Sequence, residues 1–542
     1  MDIPSITSET MASLVRLIDT LARVNDDVSA LSLPTLTQLD SLRGLLRRAE
    51  KEVGASKNAY LPVVCLPPEI LQYIFRLASI QDKDAAHPHA GNATATGDIW
   101  SVVEPVPAKV ATIVKVCRRW RSVAFADLAL WSLITDRRDR RPLAVSRQSS
   151  STPLELRLLA SPSPALRGLL QSDGHRVKSI EWDKANARTS DLDILASPAC
   201  QCRLEKLVLG MNRHLPALDT DCLTARFATQ AQSLRQLTLR DCSVLPENEF
   251  PALTSLHLDG CPGPDACHGV MGMLARAPRL TDLVLSRLRM SGAPPRVALP
   301  CLRRLVCADM ASADVARFLA HVDLPDDASI RLHASPAAAP DGTAALFAAL
   351  ARTPALRDAT EMLVSGARDI LVAGPRAAVC FVQPPRGARR TAPAWDAHAV
   401  LRHVLAATHV RTLWLLGEGV GGTGVPALPA SLDTVVVHDV GLAVALGALA
   451  RGAPPARPRT VHVLMTRFMA AGVVLSKLAQ HADVAHVVVG YLPSYKGDRA
   501  RPAGFDGRFA SLRFEALAAE PRVALPEVCS ARAHCLWPVW VE

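Results

Sequence analysis

A spacing constrains this chain more than anything else in it. An apolar triad of the form L-x-x-L-x-L returns as Val177/Ile180/Trp182, Leu204/Leu207/Leu209, Leu234/Leu237/Leu239, Leu253/Leu256/Leu258, Leu280/Leu283/Leu285 and Leu302/Leu305/Cys307. Successive triads start 27, 30, 19, 27 and 22 residues apart. Apolar residues two positions apart share one face of a strand, and a single short strand cannot bury that face alone. A return of about 20 to 29 residues instead stacks unit on unit, so that neighbours complete one core. At 542 residues the chain exceeds what one compact core usually supports, and an array accommodates that length.

The spacing is that of leucine-rich repeats. Three triads continue to Asn212, Cys242 and Cys261, where a small polar side chain can bond the backbone of the turn leaving the strand. The pattern fades over about residues 335–393, where Leu363-Val364, Ile370 to Val372 and Val379 to Val382 are candidate strands of unassigned register. It resumes with a helix from Ala394 to Ala407, then Val410/Leu413/Leu415, Leu432/Val435/Val437, Val461/Val463, Val484/Val487/Val489 and Phe509/Leu512/Phe514. The expectation is an α/β fold over residues 154–542, an irregular leucine-rich-repeat solenoid of strand-helix units, with Trp537 and Trp540 covering its open end.

In such an array the residues between the leucines point away from the core and form a concave face that usually binds. That makes Lys206, Gln236, Thr238, Arg240, His257, Asp259, Asp282, Arg304, Trp414 and His438 the candidates for contact with a target. Trp414 is either a binding anchor, since tryptophan is over-represented at interface hot spots, or the floor beneath a loop or the C-terminal tail.

The first 58 residues read as a helical hairpin. Leu14, Leu17, Leu21, Val24, Val28 and Leu31 keep three-four spacing up to Pro34, and Leu39, Leu42, Leu46, Ala49 and Val53 keep it afterwards. The seam suits either weak self-association through residues 14–53 or packing on a neighbouring domain. Residues 60–135 form the next domain. Leu66-Pro67-Pro68-Glu69-Ile70-Leu71, with Ile74-Phe75, predicts a helix with a rigid proline start. Residues 81–109 are an inserted loop. Val110 to Leu130 regains helical periodicity through Ile113, Val116, Cys117, Trp120, Val123 and Ala124, and Asp127 to Trp131 closes the module. Residues 136–153, with Arg137, Arg138, Arg140 and Arg141, form a basic linker.

The two half-motifs, Leu66 to Phe75 and Val116 to Ala124 with Leu130-Trp131, resemble the F-box of fungal, mushroom-type F-box proteins. The resemblance covers about 70 of 542 positions, and the insertion between the halves departs from the pattern. It implies docking on a Skp-type adaptor of a cullin-RING ubiquitin ligase through Leu66, Pro67, Glu69, Ile70, Leu71, Ile74, Phe75, Val116, Cys117, Trp120, Val123 and Trp131. The array would hold a protein target for ubiquitylation. The alternative is a leucine-rich scaffold whose F-box-like helices pack internally and recruit no ligase.

Other functions find little support. Aromatic residues are 4% of the chain, too few for a base-stacking platform, although the net charge is +10. The N-terminus lacks the apolar core of a secretory signal, no apolar run approaches a membrane span, and thirteen scattered cysteines without a CxxC pair suit reduced thiols. A cytoplasmic or nuclear, non-enzymatic protein without metal or cofactor is expected. Gly419-Val-Gly421-Gly-Thr-Gly424, with Asp439 beyond it, imitates a dinucleotide fingerprint. The seven residues Val425 to Ser431, with two prolines, leave no room for the crossover helix such a site needs. Finally, no lysine occurs from Leu207 through Ser476. GC-rich coding accounts for that, or a target-holding domain gains lifetime by offering no acceptor amines.

Overall fold

The computed structural model describes residues 33–59, 61–82, 103–105, 107–135, 152–158, 162–185, 204–211, 232–261, 266–333, 340–365, 369–382, 397–416, 428–451, 458–466, 470–480 and 484–530 apart from 498 and 500, with single positions within 12–23 and 533–540. It divides into two compact units, Met1–Ser79 with Ala108–Asp127, and Ile80–Pro107 with Leu128–Glu542. No described helix is long and apolar enough to cross a membrane.

The first unit is helical: α1 (Leu33–Ala59), α2 (Pro68–Ser79), α3 (Pro107–Val116) and α4 (Arg118–Ala126). Pro34 stands in the first turn of α1, where its missing N–H costs nothing. The first arm's seam, Leu14 to Leu31, lies outside the described residues, whereas Leu46, Ala49 and Val53 of the second arm are exposed. Leu71, Phe75, Ile113, Val114, Val123 and Ala124 are buried, and the Phe75 and Trp120 rings meet at 4.9 Å. The continuous periodicity from Val110 to Leu130 is broken at Cys117, which is extended and caps α4 as its thiol accepts the Trp120 N–H at 3.4 Å. Asp127 is buried at the far end of α4 and receives both Arg76 donors at 2.8 Å, which fastens α2 to α4.

The second unit begins with an antiparallel pair, β1 (Ile80–Asp82) and β2 (Val103–Pro105). Its main sheet starts with β3 (Leu133–Thr135), β4 (Leu154–Leu158), β5 (Val177–Ala185), β6 (Lys206–Met211), β7 (Gln236–Arg240), β8 (Ser255–Asp259) and β9 (Asp282–Ser286). After β10 (Val297–Ala298) come β11 (Arg304–Ala308), β12 (Val322–Asp323), β13 (Ser329–His333), β14 (Glu361–Ser365), β15 (Asp369–Ala373) and β16 (Ala378–Val382). Then follow β17 (Thr412–Leu416), β18 (Thr434–His438), β19 (Thr460–Met465), β20 (His486–Tyr491) and β21 (Ser511–Ala516). Helices α5 (Pro164–Asp173), α6 (Ala266–Ala275), α7 (Ser312–His321), α8 (Pro340–Leu350), α9 (Ala397–Ala407), α10 (Leu442–Arg451) and α11 (Ala471–Ala479) lie between strands. A last short helix, α12 (Glu527–Ser530), follows the sheet.

Consecutive strands from β3 to β9 pair in parallel, β9 pairs with β11 and β11 with β13. The repeated leucines stack in register, Ile180↔Leu207↔Leu237↔Leu256↔Leu283↔Leu305↔Ile330. All belong to one continuous buried cluster. The faded stretch is a three-strand meander: β13 pairs in parallel with β16, β16 and β15 and then β15 and β14 are antiparallel, and β14 hands on in parallel to β17. Gly374 turns between β15 and β16 because a Cβ there would sit 2.8 Å from the Asp358 carbonyl oxygen. Parallel pairing then continues from β17 to β21.

The turn leaving each strand repeats one device. Asp241, Gly260, Arg287 and Asp309, directly after β7, β8, β9 and β11, all have φ between +52° and +62°. The first three donate their N–H groups to the last residue of the next strand, at 2.8, 2.8 and 3.0 Å. One residue on, the thiols of Cys242 and Cys261 reach back to the carbonyls of Leu209 and Leu239 on the preceding strand, at 4.0 and 3.7 Å. These are the stacking bonds expected of that position; Asn212 lies outside the described residues.

Candidate functional site

Two surfaces follow from this architecture. The first is on α2, whose apolar residues divide into two stripes. Leu71 and Phe75 are 0% exposed and face the unit's core. Ile70, Tyr73 and Leu77, spaced by three and four, remain 47%, 62% and 54% exposed. Among the described residues of its own unit, nothing covers this apolar stripe, and a stripe of that size on a short helix calls for a partner. Leu61 and Val63 just before α2 are also exposed, as are Val116 at the end of α3 and Phe125 on α4.

The residues expected to touch an adaptor therefore separate. Pro67, Glu69, Ile70 and Val116 are exposed, and Leu66, Ile74, Cys117 and Trp120 are half-buried. Leu71, Phe75, Val123 and Trp131 are buried in the chain by itself. Trp131 falls in the second unit. Tyr73 and Leu77 are not among the residues expected from the sequence, although they continue the three-four spacing that starts at Ile70. Arg119 steadies the entry to α2 by donating to the Leu66 carbonyl oxygen at 2.8 Å.

The second surface is the sheet face opposite the leucine core. Its central row runs Thr238, His257, Val284, Val306, Arg331, Cys380, Leu371, Leu363, Trp414 and Val436, from β7 to β18. The strand alternation predicts an open face here, but much of it is covered. Arg240, His257, Asp259, Asp282 and His438 are buried, as is Thr238; only Lys206, Gln236, Arg304 and Trp414 of the candidates are half-buried. Over β9 to β17 the physical reason is the chain's own segment after β21. Val523, Cys529 and Trp537 join Val284, Val306, Leu363, Leu371, Ala373, Ala378 and Cys380 in one buried cluster, with Leu525, Val528, Ala533, Trp540, Trp414 and Leu416 packed against it. Trp537 and Trp540 thus cover this face and not the end of the array.

Charge pairing fills the rest. Glu520 meets His438 at 2.8 Å, Arg304 pairs with Asp282 directly opposite, and Trp414 donates its indole N–H to Glu361 at 3.2 Å. Arg287 binds Asp259 at 2.7 Å and approaches Asp241 at 3.5 Å. Burial and the neighbouring Asp259 push the Asp309 carboxyl above its ordinary range, against the pull of Arg287. Burial, with Arg240 and Arg287 nearby, holds His257 well below the usual histidine range, and neither of its ring nitrogens has a hydrogen-bond partner among the described residues.

Nucleophilic chemistry is not favoured by the thiols. Burial pushes Cys261, Cys307, Cys380 and Cys529 up to about 12, far from a reactive thiolate at neutral pH. No group of three or more His, Cys, Asp or Glu that could hold a metal ion occurs among the described residues. The glycines from Gly419 to Gly424 lie outside the described residues. Asp439 is fully buried and accepts the Thr466 hydroxyl at 2.6 Å and the Val440 N–H at 2.9 Å, so it fixes a turn.

Residues 63–137 match the family model described as F-box-like, which supports an F-box protein, a class of generally non-catalytic adaptors. No curated protein matches the chain.

Proposed function

We propose that this chain is the target-recognition subunit of a Skp-cullin-F-box ubiquitin ligase. The observation that carries the reading is the uncovered apolar stripe Ile70, Tyr73 and Leu77 on a helix inside the F-box-like segment. A helix with such a stripe lays it into a hydrophobic groove of another protein, and in this family the groove is the Skp-type adaptor's. Leu66, Pro67 and Glu69 at the start of α2, and Val116, Cys117 and Trp120 around the α3–α4 junction, would frame the contact. The leucine-rich array, a solenoid of stacked strand units in this reading, would hold a protein target. Function is then proximity: a target held near the ligase's catalytic end meets a high effective concentration of activated ubiquitin, with no chemistry by this chain.

Co-purification of the intact, folded chain with a Skp-type adaptor tests the proposal. Stoichiometric capture is the expected result. A folded chain that captures none refutes ligase recruitment and leaves a leucine-rich scaffold.

A further inference from the structure

The segment after β21 traces a path of its own. Leu517 donates its N–H to the Tyr491 carbonyl on β20 at 3.0 Å, and Glu520 reaches His438 on β18. Val523 packs with the meander and Cys529 bonds Ser329 on β13. His534 lies within electrostatic reach of His257 on β8 and of Arg304, Arg331 and His333. The segment therefore crosses the sheet against the order of its strands. Its described residues include the short helix α12 and pack on the central row.

Its attachment is of a particular kind. The backbone N–H groups of Cys529, Ala533, Trp537 and Trp540 all donate within the segment, to Pro526, Trp537, His534 and Cys529, and the Trp537 indole donates to Val528 at 3.0 Å. None of these four N–H groups enters the sheet ladder. What binds the segment is side-chain burial on Val284, Val306, Leu363, Leu371 and Cys380, with Trp540 beneath the Arg331 guanidinium at 5.8 Å. The floor is apolar apart from Arg331 within the row, with Arg304 beside it, and its occupant brings valine, cysteine and tryptophan.

We propose that this strip of sheet is a binding site for a peptide segment carrying apolar and tryptophan anchors, and that the chain's own segment bearing Val523, Cys529 and Trp537 is its resident, displaceable occupant. The inference deepens the proposed function, since it names the class of target segment and makes departure of the strap the condition for binding it. The strap then limits target access until a competing segment outlasts it on the face.

Thiol labelling of the intact chain tests this without a target. Cys380 and Cys529 are buried by the strap, whereas Cys242, Cys261 and Cys307 are buried in the leucine core, and four of these five share a pKa near 12. A strap that opens locally exposes the first pair at least about tenfold faster than the other three, resolved by peptide mass mapping. A labelled peptide of residues 517–540 should also bind the chain carrying Trp537→Ala and Trp540→Ala, and not the intact chain; a scrambled peptide should bind neither. Equal labelling of all five thiols, or peptide binding indifferent to the two substitutions, overturns the proposal. Neither measurement involves the adaptor. Adaptor capture with uniform labelling therefore removes this inference alone, and fast strap labelling without capture removes the ligase reading alone.

Discussion

The two stripes of α2 make opposite predictions for neighbouring residues. Ile70 and Leu77 are 47% and 54% exposed, so an adaptor that covers both buries roughly one whole aliphatic side chain, about 1.5–3 kcal/mol. The pair Ile70→Ala with Leu77→Ala should weaken adaptor binding about 10- to 150-fold and leave folding within about 1 kcal/mol of the parent. Leu71, 0% exposed, should do the reverse: Leu71→Ala costs about 2–5 kcal/mol of stability through the cavity it leaves. It impairs capture only in proportion to the unfolded fraction. Titration calorimetry against a purified adaptor separates affinity from active fraction, and circular dichroism with denaturant titration reports the fold. Parent-like affinity in the folded double variant would refute docking through this stripe. A folded Leu71→Ala chain with full active fraction and weakened affinity would refute the assignment of Leu71 to the core.

Other outcomes follow from the sheet. His257 and His534 have folded-state pKa values depressed below 6.5, by burial first and by neighbouring cations second. The unfolded chain therefore binds protons that the folded chain refuses, so stability is full above pH 6.5 and is lost as pH falls below it; His257→Leu should flatten that slope in denaturant titrations between about pH 8 and pH 5. Asp309→Gly should stabilise the second unit by about 1 kcal/mol, because it removes a left-handed L-residue whose carboxylate lies near that of Asp259. Gly260→Ala, at the equivalent turn, should destabilise by a similar amount in the same assay. Cys117→Ala removes the cap of α4 and should cost about 0.5–1 kcal/mol, read from the unfolding midpoint of the helical unit.

The leucine register was legible because burial on the core face is set locally: each triad places two residues on one side of a strand, and every neighbour does the same. The covered face was not, because what covers it lies far along the chain, as Trp537 lies 280 residues beyond His257. A signal was nonetheless present. Asp282-Leu-Val-Leu-Ser, Arg304-Leu-Val-Cys-Ala and Glu361-Met-Leu-Val-Ser carry three apolar residues in succession, the mark of a strand buried on both faces, whereas reading only the polar positions between leucines selects against Val284, Val306 and Leu363. The meander escaped for a similar reason, since two short antiparallel connections leave no repeat length to count. On α2 the half-motif located the site, but which of Ile70 and Leu71 faces outward depends on where α4 packs, and that is settled by Trp120 and Asp127, about fifty residues later.

The dependence of the sheet face on a late segment orders its assembly in time. Each parallel strand meets a partner about 20–60 residues away, so the array can zip up locally as the chain is made. The strap cannot close until residues 517–540 exist, by which point Val284 and Val306 have been synthesised for more than 200 residues. At about 5–20 residues per second, the apolar floor stands open for some ten seconds or more. A nascent chain of this protein thus presents its peptide site before it owns the segment that fills it, and any co-translational partner, chaperone or target alike, meets the face in its uncovered form.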